Sequence, residues 1–214
     1  MRKTFNFRLV AFAALTLILA DSVASRQTVY GNLAQVEKNI LAQRHVPFVK
    51  QLEQAYGVEA DLVLGMMKTE SAFDSRAVSG AGALGLMQLM PLTAQGEYER
   101  VSNVAVDPDF FRRQLLDQPD LNILLAVRHL SELERVFSGV RSLKKRRSLI
   151  LASYNAGFRY VKQVFGCSRL ACVGESSNNM TWRTFQNRLS HLPRETRRYI
   201  HIVEANRKAV QTML

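Results

Sequence analysis

The stretch Val63-Leu64-Gly65-Met66-Met67-Lys68-Thr69-Glu70 decides how this chain is read. Val63, Met66, Met67 and Glu70 stand at i, i+3, i+4 and i+7, so all four share one helix face. The apolar members make that the buried face, and Glu70 closes it. A carboxylate without a partner is costly to bury, so its pKa rises and it holds its proton. Facing a cleft, such a group is a general acid. At the edge of a core it is one half of an ion pair with lysine or arginine. The stripe alone leaves both readings open.

Working outward, the helical pattern continues in both directions. Phe48, Val49, Leu52 and Tyr56 recur at helical spacing, and Gly57 stands where that helix would stop. The Glu70 helix is expected over about Ala60 to Phe73. Further helices are expected over about Leu121 to Phe137, Lys145 to Phe165, and Pro193 to Val210, proline being favoured in a first turn. Residues 95–119 are polar and read as loop, and 166–181 as a loop-like insertion. No segment alternates as a strand. The expected fold is mainly α, one globular domain of short and medium helices.

Beyond Glu70 come Ser71, Ala77-Val78-Ser79 and a turn rich in glycine, Gly80-Ala81-Gly82-Ala83-Leu84-Gly85, then Leu86-Met87-Gln88-Leu89-Met90-Pro91. Glycines let backbone approach a flat ligand such as a sugar, and the Gln88 amide can serve hydroxyl or acetamido groups. The plain alternative is an ordinary loop between helices. Met87 and Met90 read most simply as core.

These residues resemble the signature of the lytic transglycosylases with a goose-type-lysozyme-like fold. Ala152-Ser153-Tyr154-Asn155-Ala156-Gly157 is similar to the second motif of that family, and Glu195-Thr196-Arg197-Arg198-Tyr199-Ile200 to its third. Asn122 matches the asparagine that opens the intervening helix. The resemblance spans about Val46 to Val210 and is greatest to the membrane-bound type C branch, whose lipid-attachment cysteine is absent. His129 stands where the family usually has tyrosine. A local hydrogen bond is one role for it; an altered sugar contact is another.

The resemblance implies peptidoglycan glycan strands as substrate and Glu70 as the single acid/base. It implies non-hydrolytic cleavage of the MurNAc–GlcNAc β-1,4 bond, leaving a 1,6-anhydro end. Ser71, Ser79, Gln88, Met90, Tyr154, Asn155, Glu195 and Tyr199 become candidate substrate-side residues. Each also has a plainer reading: helix-end or turn serines, a buried tyrosine, a helix-ending asparagine, a charge suited to a helix's first turn. Asp74 reads as turn-capping. No cofactor or metal is implied, and the four histidines show no ligand spacing.

Composition sets the surroundings. With 214 residues, 47% hydrophobic and 22% charged, the chain suits one domain with an appendage. Its 29 basic and 18 acidic residues give +11, which favours an anionic partner. Arg2, Lys3 and Arg8 precede an uncharged apolar run from Leu9 to Ala20, followed by Ser22-Val23-Ala24. This is the pattern of a secretory signal peptide over 1–24. The run is short of the roughly 20 residues a spanning helix needs, so no permanent membrane anchor is expected after cleavage.

Residues 25–45 then form a lead-in segment and 46–214 the catalytic domain, in the periplasm. Removing 1–24 takes away three basic residues and one acidic residue and leaves +9. Export disfavours nucleic acid as the partner. The run Lys144-Lys145-Arg146-Arg147 reads as a solvated helix start. Cys167 and Cys172 are expected to pair, since export places them in an oxidising compartment; two free thiols or a bridge between chains are the alternatives. Other functions compatible with the residues are a peptidoglycan hydrolase and a low-turnover wall-binding component of an envelope-spanning secretion or conjugation machine.

Overall fold

The computed structural model describes residues 23–214, with side-chain surroundings from residue 40 onward. The expected signal peptide lies outside the described residues except for its last two positions. Ala42–Leu214 form one compact unit, and the described residues before it, 23–41, belong to a unit of their own. Helix α1 (Val23–Tyr56) is continuous through Pro47 and ends at Gly57, which adopts φ +71° and donates to the Glu53 carbonyl at 2.8 Å. A left-handed residue at this place is the usual glycine stop.

Among the described residues nine α-helices follow in order: α2 (Ala60–Glu70), α3 (Pro91–Ser102), α4 (Pro108–Asp117), α5 (Pro119–Val136), α6 (Leu143–Ala156), α7 (Phe158–Phe165), α8 (Leu170–Asn178), α9 (Trp182–Leu189) and α10 (Arg194–Val210), with a short 3-10 turn over Gln211–Met213. Among the described residues there are no strands, only isolated bridges at Val78–Leu84 and Leu84–Leu89. None of the described helices is long and apolar enough to cross a membrane.

Helix α5 is the axis of the core. Ile123, Leu125, Ala126, Val127, Leu130 and Leu133 are all buried, and α3, α4 and α6 pack around it. A helix with so broad an apolar stripe turns that face inward. Helix α6 in turn packs on α10, and α10 packs along α2. Gly65 makes the last of these contacts possible. A Cβ added there would lie 2.7 Å from the backbone nitrogen of Arg207 and 2.8 Å from its Cα. Around this contact, Arg207 pairs with Asp61 at 2.7 Å, and Asn206 donates to Thr69 at 2.9 Å.

Several expected elements need correction. The Glu70 helix stops at Glu70, because Ala72 and Phe73 turn to positive φ; burial of the Phe73 ring holds a conformation that non-glycine residues avoid. Residues 95–119 are not loop: α3 and α4 occupy most of them, each opened by a proline, and Asp107 caps α4 by accepting from Phe110 N at 2.7 Å. The helix expected over 145–165 breaks at Gly157, which takes φ +80°. The insertion at 166–181 contains α8.

The basic run at the start of α6 is not simply solvated. Lys145 is buried and donates to the carbonyls of Ser177 and Met180 at 2.7 and 2.6 Å, satisfying the end of α8. Arg146 binds the Ser138 and Val140 carbonyls, and Arg147 pairs with Glu59. Only Lys144 of the four is exposed.

Replacing a mid-helix glycine by alanine ordinarily gains about 1 kcal/mol. At Gly65 the atoms in the way are backbone and cannot rotate aside. Gly65→Ala is therefore expected to lose about 1–2 kcal/mol through overpacking, seen as a lower urea midpoint. A raised midpoint would show that α2 and α10 are not held this closely.

Candidate active site

The site forms where the end of α2 meets the middle of α10. Glu70 is the last residue of α2, half-buried, beyond the fully buried Val63, Met66 and Met67. Tyr199, on the buried face of α10, donates its hydroxyl to Glu70 Oε1 at 2.6 Å. Among the described residues this is the only side-chain hydrogen bond that Glu70 makes, so Oε2 has no partner within the protein. Burial pushes the Glu70 carboxyl up to about 7; the Tyr199 hydrogen bond favours the charged form and opposes this, and the charge of Glu195 adds to the rise.

Tyr154, near the end of α6, donates to the Met87 carbonyl at 2.9 Å. Burial and the Glu70 charge push both phenols well above their usual range, so they remain hydrogen-bond donors. Glu70, Tyr154, Tyr199 and Glu195 thus share one electrostatic neighbourhood, assembled from three helices.

The turn that follows α2 forms the wall beside the acid. The Ser71 hydroxyl donates to the Leu86 carbonyl at 2.9 Å and lies 3.1 Å from that of Met67. Ser79 Oγ accepts from Ala83 N at 2.9 Å, and the two residues also pair through their backbones. The Gln88 amide nitrogen is committed to the Ala77 and Gly85 carbonyls, at 3.1 and 3.0 Å, and supports the residue's own positive φ. Only its Oε1 remains to meet a ligand. Met87 is buried, but Met90 is 44% exposed and is not core. Asn155 is half-buried beside Tyr154.

Asp74 accepts from Arg76 N at 2.8 Å, the turn-capping role read for it. His129 Nδ1 lies 3.2 Å from Glu97 Oε1, and its ring centroid is 5.8 Å from that of Tyr154. It therefore has a local hydrogen-bond partner while bordering the site. The structure also joins Cys167, in the link after α7, to Cys172 in the first turn of α8 by a disulfide.

Asn122 carries more of this geometry than its place in a motif suggested. Fully buried at the start of α5, it donates Nδ2 to the Leu84 carbonyl at 2.8 Å and accepts from Met87 N at 3.0 Å. One side chain thereby satisfies both edges of the glycine turn. Gly85 lies directly on it: a Cβ there would be 2.6 Å from Asn122 Nδ2, and φ is +72°. A polar residue on the largely apolar stripe Asn122, Leu125, Ala126, His129, Leu133 was the available signal.

An all-α domain that buries one carboxyl at a helix end, beside a turn stapled to the core, has known counterparts. The family model described as Transglycosylase SLT domain matches residues 47–169. The chain belongs to that family. It is 34% identical over 170 residues to membrane-bound lytic murein transglycosylase C of Yersinia enterocolitica, covering 78% of this chain and 47% of the relative.

The protein of the same name from Yersinia pestis is 32% identical over 169 residues, with 78% and 46% covered. The chain spans about half the length of the curated relatives it matches. Among solved structures, an inactive mutant of the lytic transglycosylase Slt from Pseudomonas aeruginosa superposes with a TM-score of 0.54 at 28% identity, covering 77% of this chain and 24% of that one. The fold is lysozyme-like. Glu195 and Tyr199 lie beyond the residues that the family model matches.

The raised Glu70 pKa has a consequence for stability. The folded state binds this proton more tightly than the unfolded chain, in which glutamate titrates near 4.5. The contribution is fully present below that value and is lost as pH rises through about 7. At 1.36 kcal/mol per pKa unit it is on the order of 3 kcal/mol. Glu70→Gln is expected to melt higher than wild type at about pH 8.5 and to converge with it near pH 4, by calorimetry. Parallel melting curves at both pH values would place Glu70 in an ordinary, solvated setting.

Proposed function

We propose that the protein is an exported peptidoglycan lytic transglycosylase acting in the periplasm, with Glu70 as its single acid/base. The observation that carries the reading is the Glu70–Tyr199 contact in a chain of the transglycosylase SLT domain family. Tyr199 donates to Oε1, which leaves Oε2 to carry the proton of the neutral acid. A pKa near 7 suits a group that must both give and take a proton near neutrality.

Glu70 protonates the oxygen of the MurNAc–GlcNAc β-1,4 bond as that bond breaks. The acetamido oxygen of MurNAc supports the positive charge at C1. The Glu70 carboxylate then takes the proton of the C6 hydroxyl, whose oxygen closes on C1 to give the 1,6-anhydro end. The acid is regenerated and no water is consumed. Tyr199 keeps the carboxyl oriented, Tyr154 anchors the turn through the Met87 carbonyl, and the turn held by Ser71, Ser79 and Gln88 forms the wall along which the glycan lies. Met90, Asn155 and Glu195 border the path. The commitment of Asp74 to its turn supports a mechanism with no second carboxylate as nucleophile.

Two results are expected. Wild-type protein incubated with purified sacculi releases muropeptides with 1,6-anhydro ends, detected by mass spectrometry, and Glu70→Gln releases none while keeping its helical circular dichroism. Reducing ends would instead indicate a hydrolase, and no release by wild type a wall-binding component. The rate of cleavage should also fall as pH rises through about 7, because the ionised carboxyl cannot protonate the leaving oxygen. A rate that climbs through that interval would assign the acid to another group.

A further inference from the structure

A second concave feature lies on the side of α10 turned away from Glu70. Thr196, Tyr199 and Val203 form the buried face of that helix, whereas Arg194, Arg197, Arg198 and His201 are exposed. At 100° per residue Arg194, Arg197 and His201 fall about 140–160° from Tyr199, on the far side of the helix, and Arg198 falls about 100° away, at its flank. Together with α9 they border a groove of about 500 Å³. Its floor is apolar, from Trp182, Leu189 and Ile200, and Gln186 and Ser190 add hydrogen-bonding groups at its edge. Trp182 is held in place by the Phe185 ring, with centroids 5.6 Å apart, and by the Lys144 ammonium, 4.0 Å from the indole centroid.

Two features define what this groove fits. Among the described residues, none of the three guanidiniums has a carboxylate within 4.0 Å or a hydrogen-bond partner, whereas Arg135, Arg147 and Arg207 are all paired. No acidic residue lines the groove. Its apolar floor is recessed: Trp182 is half-buried and Ile200 buried. A flat bilayer cannot reach a recessed aromatic, and a peptidoglycan stem, whose longer side chains end in charged groups, offers no large apolar group to fill the floor. A projecting apolar side chain with carboxylates on either side answers both the floor and the arginines.

We propose that this groove docks an acidic segment of a partner protein, in which one large apolar side chain enters over Trp182 and flanking carboxylates meet Arg194, Arg197 and Arg198. The partner's carboxylates supply the charge the arginines lack within the chain, and the Glu70 cleft on the other side of α10 stays open.

Trp182 is the only tryptophan of the chain, so its emission reports on this groove alone. The probe is a blocked synthetic peptide, Leu-Phe flanked by two glutamates on each side, titrated into the full-length protein. The expected result is a saturable blue shift that weakens with added salt. Arg197→Glu/Arg198→Glu should raise Kd by at least about tenfold, and the neutral Arg197→Gln/Arg198→Gln should raise it less, both with the helical circular dichroism of the wild type. The neutral pair keeps the test decisive where charge reversal disturbs folding. The proposal is overturned by the absence of a saturable shift, by a shift that survives loss of both arginines, or by a response to phosphatidylglycerol vesicles or free muropeptides in place of the peptide.

Discussion

The close approach of α2 and α10 at Gly65 is the constraint on which the site depends. Without a side chain at that position the two backbones meet around Arg207, and the rest of the interface follows from the register this sets. Asp61 receives Arg207 and Gln211 at one end, and Thr69 receives Asn206 at the other. Two turns further toward the start of α10, the same register delivers Tyr199 to Glu70. The contact that tunes the carboxyl is thus produced by helix packing several residues away. It needs no flexible loop to close before it forms.

A second constraint is the stapling of the glycine turn to the core. The turn holds Gln88 in the left-handed region as well as Gly82 and Gly85, and the chain leading into it holds Ala72 and Phe73 there too. Such a backbone persists only where its surroundings over-determine it. Asn122 does so from below, Ser71 and Ser79 from within, and the Tyr154 hydroxyl from the side. Side chains that sequence reading offers to the substrate are therefore largely occupied in shaping the wall. The two roles are compatible, since a rigid wall positions a ligand better than a mobile one.

Helices with a broad apolar stripe were legible from residue spacing: α5 through Val127, Leu130 and Leu133, α10 from its proline onward, and the turns of α2 before Glu70. Elements that make their contacts through few residues were not. Helix α3 buries only Ala94 and Glu97, and α4 only Phe111 and Leu115, so their sequences look polar, although the prolines at 91 and 108 and the Asp107 cap were readable start signals. The break at Gly157 is invisible to periodicity because apolar residues continue on both sides of it. Glu70 announced itself by being polar on an apolar stripe. Asn122 carries a similar signal, but its two backbone partners are 38 and 35 positions away and only the fold joins them.

One ionisable group, Glu70, stands at the centre of the site, and the environment built by α2, α6 and α10 pushes its carboxyl up to about 7. The most direct test is a carbon-13 NMR titration of the glutamate side-chain carboxyls, with the Glu70 signal assigned by its loss in Glu70→Gln. The predicted midpoint is about 7, moving higher in Tyr199→Phe because the hydrogen bond that favours the carboxylate is gone. A midpoint near 4.5, unmoved in Tyr199→Phe, would contradict the account.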